Sequence, residues 1–258
     1  MISNLAYVDA HAQINSSVQI APFAFIQAEV NIEENCWIGP NACVWEGANL
    51  SKNVRVFPGA QVSCEPQDKK YNGEKTKVFI GENTVIRENV TISKGTNATN
   101  KTIVGKNCLL MAYVHVAHDC VIGNDCIISN AVQIAGHVQI DDFVVIGGMS
   151  AIRQFVQIGK HAMITGGSLV RKDVPPYITV GREPLSYIGI NAIGLKRRGY
   201  SQEKINEIQD IYRIVFLSEL NTSVAIGKIE EEFKPTAERN EILNFIKNCS
   251  LGIIKGFE

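Results

Sequence analysis

Large aliphatic residues recur at every sixth position: Val8, Ile14, Ile20, Ile26, Ile32, Ile38, Val44, Leu50, Val56 and Val62, then Ile80, Ile86 and Ile92. After a second interruption the series runs unbroken from Val104 and Leu110 through Ile164 and Val170. Four places after each stands a small or β-branched residue, such as Ala12, Val18, Ala24, Val30 and Cys36 early on, and Cys108, Val114, Cys120, Cys126 and Val132 later. A period of six fits neither the 3.6-residue period of a helix nor the alternation of a simple strand. It fits a two-residue strand and a turn, repeated. The aliphatic residue fills an interior, the small one packs near a corner, and Gly or Asn accepts the awkward backbone of the turn. Three such hexads close one triangular coil. Coils then stack at parallel-sheet spacing, ~4.8 Å, as in a parallel β-helix.

The two interruptions, about 63–78 and 94–102, predict loops that leave the coil, the first highly charged and the second rich in Gly, Thr and Asn. Polar excursions from a rigid scaffold are where function concentrates. The period stops at Pro175-Pro176. From Leu185 onward helix signals take over: Ser201 as a cap before a stripe of Ile205, Ile208, Tyr212 and Val215, then helices over Thr222–Phe233 and Thr236–Lys247. The expected organisation is therefore a β-helix over 1–184 and a helical domain over 185–258. The helical part should cover the open end of the solenoid, where strand edges and core would otherwise be bare.

Composition narrows the picture only slightly. A hydrophobic share of 45% is ordinary for a globular protein, and an aromatic share of 7% leaves the core to aliphatic residues. A formal net charge of −1 supplies no basic field for nucleic acid. No apolar run reaches the ~18 residues of a membrane span, and the N-terminus has no secretory pattern. The seven cysteines include no C-x-x-C pair, and Cys36, Cys108, Cys120 and Cys126 fall on interior repeat positions. They read as reduced core residues of a cytoplasmic protein rather than a disulfide framework.

The candidate chemistry is histidine. Four of the five histidines lie between 115 and 161, and His118 and His137 are separated by one 18-residue coil plus one residue. They should therefore meet on adjacent coils at one corner. A neutral imidazole is the natural general base near pH 7, and Asp119 can orient the ring of His118. The plainer reading is a pair of surface histidines on a solenoid.

Several segments together resemble the UDP-N-acetylglucosamine O-acyltransferases, a hexapeptide-repeat family that begins lipid A biosynthesis. These are Gln67-Asp68-x-Lys70-Tyr71-x-Gly73, Ile86-Arg87-Glu88, His115-x-Ala117-His118-Asp119-Cys120, Ala135-Gly136-His137-Val138 and Ile146-Gly147-Gly148-Met149. Gln154-Phe155, Asp173-Val174-Pro175-Pro176-Tyr177 and Gly194-Leu195-Lys196-Arg197-Arg198-Gly199 complete the set. The resemblance runs nearly end to end and implies a left-handed coil, an exception to the usual crossover rule. It implies transfer of a 3-hydroxyacyl chain from the phosphopantetheine thioester of acyl carrier protein to the 3-hydroxyl of UDP-N-acetylglucosamine. No metal or other cofactor is implied. His118 carries over as general base and the Gly136 N–H as oxyanion donor. Gln67, Asp68, Lys70, His115, His137 and Gln154 carry over as substrate contacts, and Asn191, Arg197 and Arg198 as the nucleotide end, where guanidinium groups suit phosphate. Gly166 stands where bulk shortens the acyl pocket in some relatives, which implies a long chain here. The family forms homotrimers with sites between subunits, and basic residues of the tail can attract the acidic carrier protein.

Arg153 and Ile193 depart from the family pattern, where a His and a Glu stand. Zinc is an alternative for the histidines, but the H-x4-H pair of hexapeptide-repeat carbonic anhydrases is missing. For the loop charges and the two arginines the plainer reading is solvated surface. Competing functions are an N-acyltransferase or coenzyme-A-dependent acetyltransferase of the same fold, or a non-catalytic solenoid. The repeat begins by Val8 and leaves no room for the N-terminal uridine-binding domain of the sister N-acyltransferase. The two excursions and clustered histidines argue against a passive scaffold.

Overall fold

The structure, a computed structural model, describes residues 1–218 and 220–256. Glu219 and the last two residues of the expected tail lie outside the described residues. Two-residue strands wind through three parallel sheets in strict rotation, which makes the chain a triangular prism. The first face has nine strands, from Tyr7–Val8 to Leu169–Val170, and the second has eight, from Gln13–Ile14 to Gln157–Ile158. The third has ten, beginning at Gln19–Ile20. Register is set by the repeat: Ile32 pairs with Leu50 and Ile134 with Ile152, so aliphatic residues stack on aliphatic residues. Both repeat positions point inward, and from Val18 to Val180 nearly all are sealed from solvent. Each buried Ile or Leu withdraws roughly 1.5–3 kcal/mol of apolar surface from water. A continuous apolar column is therefore the main support of the fold.

Turn chemistry differs from the expectation in one respect. Asn does take the left-handed backbone, three residues after the aliphatic one, at Asn35, Asn41, Asn53, Asn83, Asn89 and Asn107. On the edge between the second and third faces these side chains form a ladder, Asn53 donating to Asn83 and Asn83 to Asn107, each at 3.0 Å. The glycines that directly follow the aliphatic residue serve another purpose. A Cβ on Gly147 would stand 2.3 Å from the Gly166 nitrogen, and one on Gly105 would stand 2.4 Å from the Gly123 oxygen. They are needed because stacked coils touch there.

The excursions are shorter than the sequence suggests, because strands Gln61–Cys64, Lys77–Ile80 and Lys101–Val104 take up their ends. The loops proper are 65–76 and 94–100. Both leave the coil at the edge between the first and second faces.

The repeat also continues past the double proline. Ile178–Gly181 adds a parallel strand to Met163–Ile164, and Ser186–Ile190 folds back on it antiparallel. Helix was expected from Leu185, but Ser186–Ile190 pairs antiparallel with Ile178–Gly181 and buries Tyr187 against the core, and Gly189 at φ +142 takes a backbone that a helix does not allow. Helices follow as α1 (Ala192–Arg197), α2 (Gln202–Leu217), α3 (Thr222–Glu232) and α4 (Ala237–Asn248). Ser201, Asn221 and Thr236 cap α2, α3 and α4 through their side chains. The helices close the C-terminal end of the prism: Tyr212, fully buried, donates to the Pro176 carbonyl at 2.6 Å, and the Tyr177 hydroxyl meets Glu241.

Candidate active site

The first–second edge stacks Lys94, His118, Gly136 and Gln154 on successive coils, because Thr91 pairs with His115, His115 with Gln133 and Gln133 with Ala151. His118 is 4% exposed, and its Nδ1 lies 2.8 Å from Asp119 Oδ2. A carboxylate there accepts the Nδ1–H and leaves Nε2 as the unprotonated nitrogen. That nitrogen faces Asp68 Oδ2 of the first excursion at 3.9 Å.

Asp119 is held by the second excursion. Its oxygens accept from Thr96 N at 3.0 Å, Thr96 Oγ1 at 2.7 Å and Thr99 N at 3.2 Å, and also from the Thr99 hydroxyl. Its own N–H donates to Thr102 Oγ1 at 2.9 Å. Burial alone would raise this carboxyl, but the bonds from Thr99, Thr96 and His118 outweigh it and bring the pKa down to about 2. Asp119 is thus a fixed negative charge behind the ring across the whole working pH range.

His137 presents its edge to His118, with ring centroids 5.0 Å apart, and stacks on Phe155 at 4.7 Å. His118, Asp119 and His137 each bring one ligand-capable atom within 4.8 Å of the others. Asp119 already accepts five hydrogen bonds, so its oxygens are engaged as acceptors rather than free as ligands. His115 hydrogen-bonds Thr91 Oγ1 at 2.7 Å; burial, then the neighbouring His118, lower its pKa.

Gly136 lies against the imidazole. A Cβ there would stand 2.6 Å from His118 Cε1 and 2.7 Å from Nε2. Among the described residues its N–H has no acceptor. The edge thus offers a base and a free amide donor side by side.

The remaining expected residues divide by location. Gln67, Lys70 and Gln154 are exposed on or beside this edge. Gly166 is on the third–first edge, exposed, with Gly148 on the coil below. Asn191, Arg197 and Arg198 belong to the second–third edge. Asn191 caps α1 by accepting from Gly194 N at 3.1 Å, and it donates to the His161 carbonyl at 2.9 Å. Arg198 covers Phe143 at 4.4 Å, and Arg197 is exposed. One chain therefore does not bring its arginines to its own His118. Sequence reasoning did not single out Thr96 and Thr99, whose clamp on Asp119 exists only once the loop folds back, nor Phe155 as a platform for His137. It also passed over His161, sandwiched between Phe143 and Tyr177.

Comparison with known proteins bears on the fold and the family. Residues 101–136 match the bacterial transferase hexapeptide repeats, and residues 173–254 match the second domain of UDP N-acetylglucosamine O-acyltransferase. An acyl-(acyl-carrier-protein)–UDP-N-acetylglucosamine O-acyltransferase of Chlorobaculum parvum is 58% identical over 195 residues, which is 75% of this chain and 74% of that one. Its namesake from Sulfurihydrogenibium sp. is 53% identical over 249 residues, 96% of this chain and 92% of that one. The crystal structure of a UDP-N-acetylglucosamine acyltransferase from Bacteroides fragilis superposes with a TM-score of 0.98 at 47% identity, covering 99% of this chain and all of that one.

Proposed function

The chain belongs to the UDP-N-acetylglucosamine O-acyltransferase family, and on that premise we propose that it carries out the first step of lipid A biosynthesis with His118 as the base. The acceptor is the 3-hydroxyl of UDP-N-acetylglucosamine and the donor a 3-hydroxyacyl thioester on acyl carrier protein. His118 Nε2 takes the hydroxyl proton as the oxygen attacks the thioester carbonyl. The tetrahedral oxyanion accepts a hydrogen bond from the Gly136 N–H. Its collapse expels the phosphopantetheine thiolate, which takes the proton back from His118. Asp119 stabilises the transient imidazolium through Nδ1–H. The sequence of steps needs no metal and no acyl-enzyme, since the donor carries its own activated group.

The observation that carries this reading is the 2.8 Å contact between His118 and Asp119, which aims Nε2 at a cleft bounded by Asp68 and Gly136. Asp68, Lys70 and Gln67 of the first excursion are assigned to the sugar, with His115, His137 and Gln154 along the same edge. Asn191, Arg197 and Arg198 are assigned to the nucleotide of a neighbouring subunit's site. Their position on a different edge supports a homotrimer. So does the outward row of Val85, Leu109, Ile127, Val145 and Met163 on the third face, an apolar strip that a neighbour would cover. Gly166 adds no side chain above Gly148, so the acyl groove is assigned a long chain. The proposed location is the cytoplasm; all seven cysteines are free, and among the described residues no helix is long and apolar enough to cross a membrane.

Purified protein incubated with UDP-N-acetylglucosamine and a panel of 3-hydroxyacyl carrier proteins tests the reading. An ester product, formed fastest with the longer chains, is expected. Formation of product only when a 3-amino sugar replaces the 3-hydroxyl would overturn it.

A further inference from the structure

Two imidazoles compete for one carboxylate oxygen. Asp119 Oδ2 lies 2.8 Å from His118 Nδ1 and 3.8 Å from His137 Nε2. A carboxyl group turns easily about its last bond, because that torsion is broad and roughly two-fold. Turned toward His137, it would leave His118 with no acceptor behind the ring. The ring proton could then settle on Nε2, the nitrogen that a base must keep bare. The position of the Asp119 backbone alone therefore does not decide which histidine is the base.

The second excursion decides it. Thr96 N, Thr99 N and the Thr99 hydroxyl all donate to Oδ1. The Thr96 hydroxyl donates to Oδ2 and shares that oxygen with His118. Four donors from one loop thus hold both oxygens, and the carboxyl plane cannot turn without breaking several bonds at once.

The loop is braced for this task. It is pinched at its neck, where a Cβ on Gly95 would stand 2.2 Å from Lys101 N. Asn100 N donates to the Thr96 carbonyl at 2.8 Å and closes a single turn, whose Thr96 and Thr99 amides converge on Asp119. The turn is also tied to the first excursion. Thr76 Oγ1 donates to the Gly95 carbonyl at 2.6 Å, and Asn97 Nδ2 donates to Glu74 Oε1 at 2.9 Å. That first excursion carries Asp68, which faces His118 Nε2. Both sides of the imidazole are thereby set by one pair of linked loops. Thr99 itself is exposed and contributes nothing to the core.

Given the acyl transfer proposed above, on which this step rests, we propose that Thr96 and Thr99 are positioning residues that hold Asp119 on His118 and off His137, and so select which histidine serves as the base. They act only through Asp119 and carry no proton in the reaction.

Thr96→Val and Thr99→Val, singly and together, remove the hydroxyls and keep the side-chain shape. Thr96→Ser and Thr99→Ser keep the hydroxyls. In the double Val variant kcat should fall by about tenfold or more, the scale of a misplaced catalytic group, with both KM values little changed. The acidic limb of kcat should move to higher pH. The hydroxyl bonds that help bring the Asp119 carboxyl down to about 2 are gone, so it takes up a proton sooner as pH falls. NMR spectra of protein labelled at the histidine nitrogens, with His118 assigned from His118→Ala, read the tautomer without substrate. His118 should carry its proton on Nδ1 in the unaltered protein and on a mixture of both nitrogens in the double Val variant. The Ser variants should restore the tautomer, the pH profile and most of kcat. The spectra need no turnover, so failure of the proposed reaction is distinguishable from failure of the clamp. A His118 proton that stays on Nδ1 in the double Val variant would overturn the assignment. An unshifted acidic limb, or Ser variants as impaired as the Val ones, would do the same.

Discussion

At the scale of single residues, the site depends on one imidazole held from two sides. Asp119 fixes its tautomer from behind, and Gly136 limits its position from above. The lack of a side chain at Gly136 serves steric needs rather than backbone freedom, since a Cβ would stand 2.6 Å from the ring. Gly136→Ala should therefore push the ring off its axis while leaving the prism intact. We expect kcat to fall by about 10- to 100-fold, the scale of a small misplacement of a catalytic group, with a thermal midpoint close to that of the unaltered protein. Steady-state kinetics beside a melting curve checks this; unaltered kcat would mean that the ring has room to spare. His118 and Asp119 were legible in the sequence because their spacing and the family motif both marked them. Thr96 and Thr99 were not, because a threonine in a polar loop carries no sign of the carboxylate that the folded loop will meet.

At the scale of elements, period six was sufficient to read the coils, since only a strand-and-turn unit of that length repeats an inward residue so regularly. The interruptions were legible as loops, but not as loops on one shared edge, because each breaks the count that would place it. The handedness of the coil came from the resemblance, not from the repeats. The junction to the tail was misread: Pro175-Pro176 ended the period without ending the sheet, which Ile178–Gly181 extends in parallel and Ser186–Ile190 extends antiparallel. His161 holds this junction. It stacks between Phe143 and Tyr177, and its Nε2 is 3.4 Å from the Tyr200 hydroxyl. Burial, then the charges of Lys160 and Arg198, lower its pKa to about 4. The unfolded chain takes up this proton near pH 6.5, but the folded chain does so only near 4. The unfolded state then binds more protons between those values, so His161 costs stability progressively as pH falls from about 6.5 to 4. His161→Phe keeps the stacking, and Phe143 and Phe155 already occupy the equivalent left-handed backbone. Melting curves from pH 7 to 4 should fall less steeply for this variant; identical slopes would show that His161 is protonated in the fold.

At the scale of the whole molecule, the prism supplies rigidity and the edges supply chemistry, one kind per edge. His118 and the two excursions share the first–second edge, Arg198 and Asn191 the second–third, and Gly166 the third–first. A reaction that needs all of them must draw on more than one chain, and the apolar row along the third face offers the contact. The direct measurement is made on mixed assemblies of the proposed trimer. His118→Ala alone should lose about 10²- to 10⁴-fold in turnover, and Arg198→Ala alone should be impaired in binding the nucleotide. When the two variants are unfolded together and refolded as an equal mixture, about a quarter of the sites receive an intact His118 from one chain and an intact Arg198 from its neighbour. Activity should recover towards a quarter of the unaltered level. Near-normal turnover by His118→Ala, or a mixture no more active than its two components, would contradict the account.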